Sequence, residues 1–120
     1  MQRFTELRVW QRANAFAVRV FEVTESFPSN DRLDLKGQMR RSSTSAPFNI
    51  AEGAKRMSPA DYAKFLNIAE ASLAECEAQV RFARDIRYLD PSIANALADE
   101  ASQISRMLNA LRTRVTRKKR

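Results

Sequence analysis

Histidine is absent from the 120 residues, and cysteine occurs once, at Cys76. Without histidine the chain lacks the commonest general base, any His-bound metal and the Glu-x-x-His pairs of di-iron bundles. It also has no glycine-rich phosphate loop. The spacing of Glu52, Glu70 and Glu75 gives no reason for a carboxylate-only metal site to converge. The chain is therefore expected to be no enzyme and to carry no metal and no cofactor. A lone cysteine forms no internal disulfide and suits a reducing compartment. Cys76 falls on an apolar seam and reads as a packed structural thiol. No apolar run approaches the roughly 20 residues that span a bilayer. Met1–Glu6 lacks the apolar core of a signal peptide, so a cytoplasmic location without membrane contact is expected. Only two glycines and four prolines, among abundant Ala, Arg, Leu and Glu, favour helix over sheet.

What is present is helical periodicity. Val9, Ala13, Phe16, Val20, Val23 and Phe27 recur in steps of four and three, and Trp10, Ala17 and Phe21 widen that stripe. The first helix is expected from Thr5, as N-cap, to about Ser26. A stripe this wide implies burial against two helices, or against one helix and a neighbouring subunit. Phe27-Pro28-Ser29-Asn30 is a stop and turn. A second helix restarts between Ser29 and Asp34 and runs to about Met57, with Gly53 near its end. Ser58-Pro59-Ala60-Asp61 is a strong start signal, with Ser58 as N-cap and Pro59 at the first helical position. The third helix, about Pro59 to Tyr88, carries Tyr62, Leu66, Ala69, Leu73, Cys76, Val80 and Ala83 on one seam. Asp90-Pro91 repeats the start logic for a fourth helix with Ile93, Leu97, Ala101, Ile104, Leu108, Leu111 and Val115 on its face. These elements predict an all-α, antiparallel up-down four-helix bundle, a single domain over residues 1–116, followed by a mobile basic tail, 117–120.

The stretch Gln38-Met39-Arg40-Arg41-Ser42-Ser43-Thr44-Ser45-Ala46-Pro47-Phe48-Asn49-Ile50-Ala51-Glu52-Gly53 organises the rest. Leu35, Met39, Ser42, Ala46, Ile50 and Gly53 keep helical spacing. Pro47 nevertheless lacks the N–H that would bond the Ser43 carbonyl. A kinked second helix at Pro47 is expected, with neighbouring hydroxyls serving the freed carbonyl and small side chains admitting a close neighbour.

Gln38-x-Arg40-Arg41 followed by Pro47-x-Asn49-Ile50-Ala51-Glu52-Gly53 resembles the signature of the four-helix-bundle proteins encoded by intervening sequences of large-subunit (23S) ribosomal RNA genes. Leu7-x-Val9-Trp10-Gln11-x-Ala13, Phe27-Pro28, Phe65-Leu66-x-Ile68-Ala69 and Ser72-Leu73-x-Glu75 extend the likeness from about Phe4 to Leu111. Two places depart from it. The family often has Tyr-Gly-Leu at Leu33-Asp34-Leu35, and Ser-Ile-Pro-Ser-Asn at Ser45-Ala46-Pro47-Phe48-Asn49, so Phe48 is expected to alter packing beside the kink. The resemblance implies a homopentameric ring. Through distantly related accessory proteins of diversity-generating retroelements, it also implies nucleic acid and a reverse transcriptase as partners. Within the motif, Trp10, Gln11, Gln38, Pro47, Asn49, Ile50, Glu52 and Gly53 are read as structural or interface residues, with Glu52 in a helix-end or interface ion pair and Asn49 bonded to backbone near the kink or across an interface.

The formal net charge of +7 is uneven: +1 over residues 1–30, +3 over 31–57, −2 over 58–90 and +5 over 91–120. Such asymmetry points to an anionic partner, nucleic acid first and RNA in particular. Arg40, Arg41, Lys55, Arg56, Arg112, Arg114, Arg117, Lys118, Lys119 and Arg120 are the candidate phosphate contacts. For Arg40 and Arg41 an ion pair with Glu52 or with an acid of the third helix is the competing reading. The rival function is a protein–protein scaffold whose charge serves solubility alone.

Overall fold

The computed structural model describes residues 3–117. After a short 3-10 turn at Phe4–Glu6 come α1 (Arg8–Thr24), α2 (Leu35–Ala54), α3 (Pro59–Asp85) and α4 (Pro91–Arg117). There are no strands among the described residues, and the four helices form an elongated bundle of 51 × 21 × 20 Å. α3 is the shared partner, packing extensively on α2 and on α4. α1 lies chiefly against α2 and more lightly against α4.

The seams read from the sequence line one core. Val9, Ala13, Phe16, Val20, Leu35, Met39, Ile50, Leu66, Leu73, Val80, Leu97, Ile104 and Leu108 are all buried. Each large aliphatic or aromatic side chain among them contributes about 1.5–3 kcal/mol of burial. That burial, rather than intrinsic propensity, holds α2 helical through its serine run. Among the described residues no helix is long and apolar enough to cross a membrane.

Caps decide the boundaries. Ser58 accepts from the Asp61 N–H at 3.3 Å and starts α3 as expected. The Asp90 carbonyl accepts from the Ala94 N–H at 2.9 Å, and its carboxylate accepts from Ser92. Those Ser92 bonds hold the Asp90 carboxyl below the usual carboxylate range. The expected Thr5 cap is corrected: Thr5 lies inside the 3-10 turn, and α1 starts after Leu7, which has no capping side chain. The helix ends are also earlier than expected, at Thr24, Ala54 and Asp85 rather than about Ser26, Met57 and Tyr88. At the third of these, Arg87 turns into the left-handed region (φ 68°), and the Tyr88 N–H bonds back to the Ala83 carbonyl at 2.8 Å.

α2 is continuous through Pro47, whose ring is buried. The serine and threonine hydroxyls do not serve the Ser43 carbonyl. The Ser42 hydroxyl lies 3.2 Å from the Met39 carbonyl, Ser43 donates to that of Arg40, and Thr44 to those of Arg40 and Arg41. Each contact lies one turn back, where a helical hydroxyl reaches most easily. Ser42, Ser43 and Ala46 are buried as a close-packing surface should be. Phe48 points outward and is 66% exposed, so it does not enter the packing beside the proline.

Candidate nucleic-acid interface

The candidate cations fall into two groups at different heights of the bundle. Lys55 and Arg56 follow the C-terminus of α2, and the start of α3 packs directly on that end. The Arg56 guanidinium lies 4.7 Å from the centre of the Phe65 ring. α4 brings its last turns to the same place. Arg112 donates to Asn67 at 2.6 Å and pairs with Glu70, and the charge of Arg114 reaches the Tyr62 hydroxyl. Lys64 lies on the second turn of α3, three residues before Asn67, the partner of Arg112.

These cations are not equally available. Arg56 pairs with Glu52 at 2.7 Å, so the ion pair expected for Glu52 lies within one helix turn. Arg112 is bound to Asn67, Glu70 and Asn109 and acts as a latch between α4 and α3. Lys55, Lys64, Arg114 and Arg117 are exposed and make no ion pair among the described residues. Lys64 was hidden from charge counting because residues 58–90 are net negative. Its place two turns after the Ser58 cap was the signal available. Three of the free cations, Lys55, Arg114 and Arg117, also sit at the C-terminal ends of α2 and α4, where positive charge complements the helix dipole. Tyr62 adds a half-buried aromatic edge, and burial, opposed by Arg114, raises its hydroxyl pKa. Arg117 is the last residue of α4, while Lys118, Lys119 and Arg120 lie outside the described residues.

Arg40 and Arg41 are elsewhere. Fourteen residues of helix separate Arg41 from Lys55, about 21 Å at the α-helical rise. Arg40 is engaged at the end of α1. It donates to the Thr24 hydroxyl at 3.0 Å and the Phe21 carbonyl at 2.8 Å, pairs with Glu25 at 3.3 Å, and covers the Phe21 ring at 4.5 Å. The acid paired with Arg40 is thus Glu25 of the segment after α1, not Glu52 or an acid of α3. Arg41 is exposed and stands 3.7 Å from Asp34.

The motif residues hold local structure. Trp10 meets Phe4 edge-on at 5.2 Å, Gln11 donates to the Thr5 carbonyl at 2.9 Å, and Gln38 donates to the Leu33 carbonyl at 2.6 Å. Asn49 donates to the Ser45 carbonyl at 2.8 Å, a backbone bond as expected. Ile50 is in the core, and Gly53 is where α2 crosses α3. Cys76 is buried, and that burial pushes its thiol up to about 11.

An all-helical bundle with basic termini of two helices gathered at one end defines the class. The family follows from comparison: residues 5–110 match the model of the 23S rRNA-intervening sequence protein family, and the chain belongs to that family. A similar solved structure is that of a protein with unknown function from the S23 ribosomal protein family of Bacteroides thetaiotaomicron VPI-5482. It is 23% identical, with a TM-score of 0.78 over 87% of this chain and 97% of that one. That likeness establishes the fold. No curated protein matches the chain.

Proposed function

We propose that the chain is a non-enzymatic accessory protein that binds RNA through the basic end of its bundle. The observation that carries this reading is the set of four exposed cations there, Lys55, Lys64, Arg114 and Arg117, without ion-pair partners among the described residues. Phosphates would displace counterions from such a surface and gain affinity that depends steeply on salt, without base readout. The test is fluorescence anisotropy of a labelled structured RNA across a salt series. Each phosphate contact removed by Lys55→Gln, Lys64→Gln, Arg114→Gln or Arg117→Gln should flatten the log–log salt slope by about 0.7–0.9. Binding that ignores salt, or its absence at low salt, overturns the proposal.

We further infer an antiparallel up-down arrangement from the short connections and the order in which neighbouring helices pack. A homopentameric ring rests on the family resemblance. It is supported by exposed apolar side chains on α1 and α2, among them Val18 (52%), Phe21 (41%) and Phe48 (66%). Five basic ends on one ring would raise avidity without new contacts. Native mass spectrometry checks the ring; a monomer at micromolar concentration removes it. The same apolar side chains favour the scaffold reading if RNA fails to bind. A reverse transcriptase is then one protein partner to test, and a cytoplasmic location accompanies either reading.

A further inference from the structure

Two stretches of the motif that the basic end does not use meet in one place. On α2, Gln38, Arg41, Ser42 and Ser45 are spaced three, one and three residues apart. On α3, Ser72 and Glu75 are spaced by three. These spacings put each set on a single helix face, and the two faces border an open cleft of about 390 Å³ along the α2–α3 seam.

The deeper polar groups of the cleft are satisfied. Ser42 donates to the Gln79 side chain at 2.6 Å and approaches the Met39 carbonyl at 3.2 Å. The outer row is not. The Ser45 and Ser72 hydroxyls bond each other at 2.7 Å, which uses one of their two protons. Asn49 also donates to the Ser45 hydroxyl at 3.0 Å, so that contact absorbs no proton from the pair. The second hydroxyl proton has no acceptor among the described residues. Arg41 forms an exposed ion pair with Asp34 at 3.7 Å, beyond hydrogen-bond distance, so its guanidinium N–H groups have no hydrogen-bond acceptor among the described residues. On the opposite wall Glu75 receives one bond, from Gln79 to Oε2 at 3.3 Å, and its Oε1 has no donor. The Gln38 carbonyl oxygen likewise accepts nothing among the described residues, since only its NH2 group is engaged.

The cleft thus offers donors, a guanidinium and a hydroxyl, and acceptors, a carboxylate and an amide oxygen. A simple anion would meet Glu75, and a simple cation would meet Arg41. We propose that the α2–α3 cleft binds a small zwitterion of the free α-amino acid class. The ligand carboxylate takes Arg41 and the hydroxyl of the Ser45–Ser72 pair, and its ammonium donates to Glu75 and Gln38. Water serves these groups when the cleft is empty, so a ligand must match the same pattern to gain affinity.

The test is a ¹H–¹⁵N correlation titration of the full chain with L-serine, with acetate and methylammonium as single-charge controls. L-serine should shift the amides of residues 38–45 and 72–75 saturably, and each control should bind at least about tenfold more weakly. Arg41→Gln and Glu75→Gln, both at exposed positions, should each weaken L-serine about tenfold or more while leaving the melting curve in place. Glycine betaine keeps both charges but cannot donate a hydrogen bond, so it should bind more weakly than L-serine. The proposal is overturned if L-serine gives no saturable shift, if acetate binds as well as L-serine, or if Glu75→Gln has no effect. RNA enters none of these measurements, so their outcome is independent of the basic end.

Discussion

Gly53→Ala is expected to lower stability, although alanine is the better helix former. Gly53 is buried in the last turn of α2, where α3 crosses it. A Cβ there would lie 2.8 Å from the Phe65 Cβ, 3.1 Å from Tyr62 Cδ1 and 3.3 Å from the Tyr62 carbonyl oxygen. Two of the three neighbours are a Cβ and a backbone atom, which no rotamer change can move, so relief requires shifting α3 itself. Replacing glycine inside a helix contributes about 0.5–1 kcal/mol of stabilisation. Overpacking of this kind costs about 1–3 kcal/mol. Overpacking wins, and the net expectation is a loss of about 1–2 kcal/mol, or several degrees of melting temperature for a domain of this size. Circular dichroism melts at 222 nm, with urea unfolding alongside, would measure it. Gly53→Val should lose more than Gly53→Ala, because its branches must also find room. A Gly53→Ala protein that melts at or above the parent would mean that the close crossing of α2 and α3 is wrong.

Three other outcomes follow from the same structure. Ser43 is fully buried, so Ser43→Leu should cost about 1–3 kcal/mol in urea unfolding, and an unchanged midpoint would reject its burial. Arg87 holds φ 68°, so Arg87→Gly should raise stability by about 1 kcal/mol; a lower melting temperature would show that its side chain is needed. Burial raises the Cys76 thiol from 9.0 to about 11, so the folded state holds a proton that the unfolded state loses first. Its contribution to stability is complete below about pH 9 and is lost as pH rises towards 11, which a Cys76→Ala protein should not show. In the native state the thiol should resist aromatic disulfide reagents at neutral pH.

The fold was legible because each helix carries its own periodic seam, and burial follows that seam almost residue by residue. Leu35, Met39, Ser42, Ala46, Ile50 and Gly53 were expected inside, and all six are buried. Starts marked by Ser58-Pro59 and Asp90-Pro91 were equally readable, since a side-chain cap and a proline act locally. The start of α1 was not, because Thr5 has a capping side chain but tertiary packing of the 3-10 turn places the helix start after Leu7. Helix ends ran long by two or three residues, for apolar periodicity continues into Phe27 and Leu89, which reach the core from outside their helices. The candidate site was half legible. Net charge located Lys55, Arg56 and the α4 arginines but did not show that Arg56, Arg112 and Arg40 already hold acids, nor that Lys64 joins the group. Which cations are free depends on which helices meet, and charge counting along a chain does not contain that information.

The unequal packing of the helices bears on the order in which the molecule opens. α2, α3 and α4 are consecutive, and each touches the next along its length, whereas α1 closes against α4 only lightly, with Arg12 clamping Glu100 at 2.6 Å. Hydrogen exchange should therefore divide the chain into a slow three-helix unit, centred on the amides of Leu66–Ala83, and a faster α1 that detaches with less free energy. Because α1 also presents Val18 and Phe21 outward, a partner that covers it would slow its exchange first and leave α3 unchanged. The stability of the first helix would then report on whether a partner covers it.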